Sequence, residues 1–196
     1  ALLGFALMRS LKFIISYFGD DVSPGDVILH NDVYSEGNQL ADIGVYKPIF
    51  HGGQLVAWAA AKGHQADIGG SAPGAYNPKA REVWHEGLRI TPLKIMERGV
   101  MRRDLWDFLM ANVRLPIVGQ DLKATIGACA VGERRVVELL SSKGRGWFEA
   151  HKEALLDATE RRARAEIAKI LVEIENCLDE ARHRPPEPPP DDQRQG

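Results

Sequence analysis

Apolar residues recur at Leu3, Leu7, Leu11, Ile14 and Phe18, three to four positions apart, with Gly19 just beyond. That spacing predicts an amphipathic helix ending near Gly19. Arg9, Ser10 and Lys12 interrupt the run. It falls short of the roughly 18 apolar residues of a membrane span, so no membrane partner is expected. Ser23-Pro24-Gly25-Asp26 is turn chemistry and launches a short buried strand over 27–29, which carries His30, Asn31 and Asp32 at its far end. Two further apolar runs, 45–50 and 55–61, flank His51-Gly52-Gly53-Gln54, whose glycines suit a hairpin reversal. Residues before the first strand of a hairpin lie beside those after the second. Asp42 and Ile43 are therefore expected next to Gly63 and His64.

Downstream the pattern turns helical. Residues 71–78 form a Gly/Pro/Ser/Asn loop and 79–87 a short helix, and Pro92 disfavours helix at Thr91. A helix over 103–111 is expected to turn Leu105, Phe108 and Leu109 inward. Pro116 suits the first turn of the next helix, 117–140, with Gly127 and Gly132 as points of close packing. A long helix over 147–182 follows. Its positions Ala163, Ile167, Ile170, Ile174, Cys177 and Ala181 alternate spacings of four and three, a seam for a partner helix or for the body. The last stretch, HRPPEPPPDDQRQG, has five prolines and no apolar residue, and is expected to be disordered. The fold class is α+β, with short strands and a hairpin in the N-terminal half and helices in the C-terminal half. The expected divisions are 1–145, a long helix over 146–182, and a tail over 183–196.

Composition narrows the partners. At 196 residues, 44% hydrophobic and 27% charged, the chain is long enough to bury one core. A net charge of -2 with interleaved signs supplies no field for nucleic acid. Cys129 and Cys177 lack metal-finger spacing. They read as free buried thiols in a reducing compartment, which points to the cytoplasm.

Polar chemistry concentrates in two segments, NDVYSEGNQLADIG (31–44) and GHQADIGG (63–70), which the hairpin brings together as two walls of one site. Divalent zinc, manganese or iron takes imidazole nitrogen and carboxylate oxygen. His64 with Asp42, assisted by Asp67, Asp32 or the Gln39 amide oxygen, supplies those atoms. The alternative is that the aspartates are turn caps and His64 a hydrogen-bonded loop residue. Gly63, Gly69 and Gly70 suit backbone binding of an anion. Among acid/base candidates, Asp67 and the Glu86 neighbour of His85 rank ahead of His51, and Ser71 receives no catalytic role.

The segments PGDVILHNDVYSEGNQLADIGVYKPIF, GHQADIGGSAPG, EGLRITPLKI, ANVRLP and IGACAVGERR, in this order, resemble the hydantoinase B/oxoprolinase family over 13–170. That family includes N-methylhydantoinase subunits, the C-terminal part of 5-oxoprolinase, and large subunits of acetone and acetophenone carboxylases. The resemblance implies a component of an ATP-dependent hydrolase of small cyclic amides. A hydantoinase A-type partner subunit would use the ATP to phosphorylate the substrate. The alternatives are a subunit of a carboxylase acting on small ketones, or a truncated, non-catalytic assembly module. The family's metal-binding positions fall on Gln39, Asp42 and His64, the first of which is usually histidine in a THLPD-like pattern. Gln65 and Val33 also depart, from the family's histidine and proline. Family members run to several hundred residues. This chain is therefore expected to be a truncated relative, a subunit completed by another chain, or one with an altered end. Bare apolar surface would then favour a hetero- or homo-oligomer.

Overall fold

The computed structural model describes residues 2–183; the expected tail lies, from 184 on, outside the described residues. The chain separates into two units, Ala1–Ser142 and Lys143–Gly196. The first unit contains helix α1 (Leu2–Phe18), strand β1 (Val27–His30), a 3-10 turn (Val33–Ser35), β2 (Asp42–His51) and β3 (Gln54–His64). It continues through α2 (Val83–Glu86), β4 (Leu93–Glu97), β5 (Val100–Met101), α3 (Arg103–Ala111) and α4 (Ile117–Lys143). The strands form one antiparallel sheet in the order β3-β2-β1-β4-β5, so the fold is α+β.

The alternation of side chains along β1 and β2 divides the core. Val27, Leu29, Ile43 and Val45 face one side, where Leu109, Val118, Leu122 and Cys129 from α3 and α4 cover them. Ile28 and Tyr46 face the other side and pack beneath Ile14 of α1, with Leu7, Leu11, Phe18 and Trp58 around them. Because both faces are covered, β2 is buried over nearly its whole length. The β2–β3 reversal is made by Gly52 and Gly53, with φ of 58° and 76°. Both central residues of a type I′ turn need such positive values.

The two strands run further than their apolar runs suggest. Asp42 pairs with His64 and Ile43 with Gly63 inside the ladder, rather than beside its ends. The β4–β5 hairpin was not foreseen. Its turn is Arg98-Gly99, at φ of 49° and 84°, and arginine is an unusual occupant of that region. Asp26 supports it by accepting from Arg98 N at 2.8 Å while also capping Ser23 N at 2.9 Å.

Other expectations are corrected. The helix expected over 79–87 contracts to the single turn of α2. Lys79 N donates to Asn77 Oδ1, which sets a turn there, and Trp84 is exposed, so little apolar surface rewards a longer helix. Phe108 is 55% exposed, and Trp106 packs on the core beside Leu105 and Leu109. Gly127 has open space around it, and a Cβ at Gly132 would only touch Ala59 at 3.4 Å. Within α4 the tight glycine is Gly119, where a Cβ would stand 2.8 Å from Met110 Sδ. Cys129 is buried, but Cys177 is exposed, and both are free.

The second unit contains α5 (Arg145–His183). Its ion pairs run along one helix, including Arg164–Glu160 at 2.8 Å and Lys169–Glu166 at 2.8 Å. Ile167, Ile170, Ile174 and Cys177 of the expected seam are exposed.

Candidate functional site

The site grows from the ladder register. Asp42 opens β2 and His64 closes β3 as directly opposed residues, and such pairs bring their Cβ atoms within about 5 Å. Gln39 joins them through a tight turn in which its carbonyl accepts from Asp42 N at 3.1 Å. His64 Nδ1 lies 2.8 Å from Asp42 Oδ1 and 3.1 Å from Gln39 Nε2. Asn38 Nδ2 donates to the second Asp42 oxygen, and Lys62 Nζ donates to Asn38 Oδ1 at 2.7 Å. His64 is open to solvent on its outer side, whereas Asp42 is 2% exposed beneath these neighbours.

Electrostatics follow from that packing. Burial alone would push the Asp42 carboxyl up, but hydrogen bonds from Asn38, Gln39 and His64 outweigh it and hold the carboxyl below its ordinary value. Asp42 is therefore an anion at neutral pH. The Lys62 ammonium is pushed down by burial, a shift opposed by the nearby Asp42 charge.

With the Asp42 carboxylate as acceptor, His64 Nδ1 donates to it, and the Gln39 amide NH2 is directed at the same carboxylate. Loss of the Nδ1 proton and reversal of the Gln39 amide would bring an imidazole nitrogen, a carboxylate oxygen and an amide oxygen together at a solvent-facing rim, a donor set that suits a divalent cation with open positions. The third donor is an amide, and among the described residues no three His, Cys, Asp or Glu side chains form a metal-type group.

The structure separates Asp32 and Asp67 from this centre. Asp32 caps the 3-10 turn, accepting from Tyr34 N at 3.1 Å and Ser35 Oγ at 3.0 Å, and lies 3.4 Å from Arg89. Asp67 is fully buried and accepts from Arg114 N at 2.5 Å and Arg114 Nη1 at 3.1 Å. Arg114 also donates to Gly70 O at 2.6 Å, so the pair clasps the loop after β3 to the α3–α4 connection. Both aspartates serve the loops. Glu86 is exposed and shares with Gln39, Tyr76 and Asn77 the wall of a cavity of about 190 Å³. His85 pairs with Glu82 at 3.0 Å. His51 Nε2 lies 3.4 Å from Ser141 Oγ.

Asn38 and Lys62 were not singled out from sequence. Lys62 stands two residues before His64, and period-two alternation along β3 puts it on the same face. His30 is another unforeseen feature. It is 1% exposed, neither ring nitrogen has a partner among the described residues, and burial pushes its pKa down to about 4.

The sequence pattern of the hydantoinase B/oxoprolinase family matches residues 3–184. The chain is 42% identical over 161 residues to the caprolactamase subunit beta of Pseudomonas jessenii, covering 82% of this chain and 28% of that relative. It is 30% identical over 159 residues to the acetophenone carboxylase delta subunit of Aromatoleum aromaticum, covering 79% and 23%. The crystal structure of the ATP-dependent caprolactamase from Pseudomonas jessenii matches with a TM-score of 0.77 at 42% identity, over 82% of this chain and 28% of that one. The chain thus spans less than a third of the length of these relatives. With the pattern matched across most of its residues, the chain belongs to the hydantoinase B/oxoprolinase family.

Proposed function

We propose that this chain supplies the carbonyl-activating site of an ATP-dependent cyclic-amide hydrolase, acting with an A-type subunit that phosphorylates the substrate. The observation that carries this reading is the Asp42–His64 pair, opposed across the β2–β3 ladder with Gln39 beside it. A caprolactamase subunit is among its relatives. Bound to Gln39, Asp42 and His64, a divalent ion such as manganese, zinc or iron would polarise a carbonyl oxygen as a Lewis acid. Asp42 contributes the negative charge and His64 the nitrogen donor. Gln39 contributes a neutral oxygen, a weaker donor to borderline metals than the imidazole usual at that position. Glu86, on the cavity wall shared with Gln39, is placed to accept a proton from a ligand held there.

The amide at position 39 also favours a second reading, in which the chain keeps the fold as an assembly module without turnover. The two readings separate on metal content and partner-dependent turnover. Purified chain is expected to hold stoichiometric divalent metal, and Asp42→Ala or His64→Ala to lose it together with ATP-dependent lactam hydrolysis in the presence of the A-type subunit. Gln39→His is expected to raise metal affinity at least about tenfold, the scale of a substituted ligand or its close support. Absence of metal, with turnover untouched by the Asp42 and His64 substitutions, overturns the catalytic reading. Bicarbonate-dependent product instead of hydrolysis would assign the carboxylase branch of the family.

A further inference from the structure

We infer that Lys62 and Asn38 are positioning residues that reserve a single oxygen of Asp42 for the site. The inference rests on the reading of Asp42 as a site residue, and it concerns how that residue is presented. A carboxylate offers two equivalent oxygens and turns readily between one-oxygen and two-oxygen contact. Here they are made inequivalent. Oδ2 accepts from Asn38 Nδ2, and Oδ1 faces His64 Nδ1 at 2.8 Å.

An asparagine alone would not hold this arrangement, because its amide can reverse and present oxygen to the carboxylate. Lys62 removes that freedom. Its ammonium has donors only, so at 2.7 Å from Asn38 Oδ1 it fixes the oxygen end of the amide toward itself. The NH2 end then faces Asp42, and reversal would break both bonds at once. No ion pair joins Lys62 directly to Asp42 among the described residues. The lysine acts through the neutral amide.

The backbone explains why Lys62 reaches this position. Its ladder partner is Gly44, which has no side chain, and the Tyr46 ring occupies that space, with its hydroxyl 2.5 Å from where a Cβ would be. Lys62 is half-buried beside this filled position, and its amine end extends to Asn38, near the Asp42 end of the ladder.

The experiment is a double-mutant cycle on the full chain with Asn38→Ala, Lys62→Met and the double variant. Mn²⁺ affinity is measured by titration calorimetry, and the Asn38 side-chain amide is followed by NMR. Asn38→Ala is expected to weaken Mn²⁺ binding about tenfold, the lower end of the range for groups supporting a metal ligand. Lys62→Met is expected to weaken it several-fold, with little further loss when added to Asn38→Ala, because the two act in series. Lys62→Arg, which keeps a donor-only cation, should retain most of the affinity. Additive losses overturn the inference, since Lys62 would then act by charge alone, and so does unchanged affinity in both single variants. If the parent chain binds no Mn²⁺, the metal reading fails separately. The inference then stands or falls on the Asn38 amide resonances, which must move toward solvent-exposed values in Lys62→Met and remain in place in Lys62→Arg. Melting curves confirm that each variant is folded.

Discussion

His30 occupies an environment opposed to its intrinsic preference. It sits in the buried end of β1 against the Phe13 ring, with centroids 6.0 Å apart, and both of its nitrogens lack partners among the described residues. Burial dominates its titration, Asp32 partly opposes it, and Lys62 adds to it, leaving a pKa of about 4 against an ordinary 6.5. The unfolded chain binds this proton below about 6.5 and the folded chain only near 4, so stability is full above neutrality and falls as the pH drops between those values. The shift corresponds to about 3 kcal/mol at the acid end. His30→Phe removes both unpaired nitrogens and is expected to flatten that limb in melting temperatures recorded from pH 7 to 4, with no loss at pH 7. An unchanged acid slope would assign the proton elsewhere. The same scale shows what a sequence conceals. Gln39, Asp42 and His64 were legible because their residue types and the turn between them point to one place. The type of Asp67 says nothing of Arg114, a partner 47 positions away that takes both of its oxygens.

At the level of elements, the two hairpins differ in how their turns are spelled, and the second is much the shorter. Gly52-Gly53 advertises a reversal, and β2–β3 was read from it together with the closeness of Asp42 to His64, which the ladder makes a direct pairing. Arg98-Gly99 makes the same kind of turn with an L-residue at φ 49°, a conformation that arginine adopts at a cost, so β4–β5 stayed hidden. Asp26 compensates by accepting from Arg98 N, and it also lies 3.2 Å from Lys94 Nζ. Arg98→Asn should therefore stabilise the chain by about 0.5–1 kcal/mol, because asparagine enters the left-handed region more readily and the backbone bond to Asp26 is kept. Urea denaturation checks it; a shift to lower midpoint would mean that the arginine side chain itself supports the turn. The inward assignment of Phe108 failed for a related reason. Helical periodicity identifies a face, but which edge of it is covered depends on where α4 lies, and Gly119 of α4 packs against Met110 and Trp106 rather than Phe108.

Across the molecule, all residues that define the two buried clusters belong to the first unit, from Ile14 in α1 to Cys129 in α4. The site residues Asn38, Gln39, Asp42, Lys62 and His64 lie there too, on strands and a turn that those clusters hold in place. The second unit has a different basis. Side chains along α5 such as Leu155, Ile167, Leu171 and Leu178 are more than half exposed, and ion pairs such as Arg164–Glu160 and Lys169–Glu166 join exposed residues spaced three or four apart. Exposed pairs of that kind add little to stability. A chain ending at Ser142 should therefore retain a cooperative thermal transition within a few degrees of the full chain, and the same Mn²⁺ affinity. Hydrogen exchange on the full chain supplies the matching internal measurement: amides of β1 and β2 should exchange slowest, and those of residues 150–179 fastest, because only the former lie in a core whose opening requires global unfolding. Loss of the cooperative transition on truncation, or protection in α5 equal to that in β2, would show that the second unit shares the stability of the first.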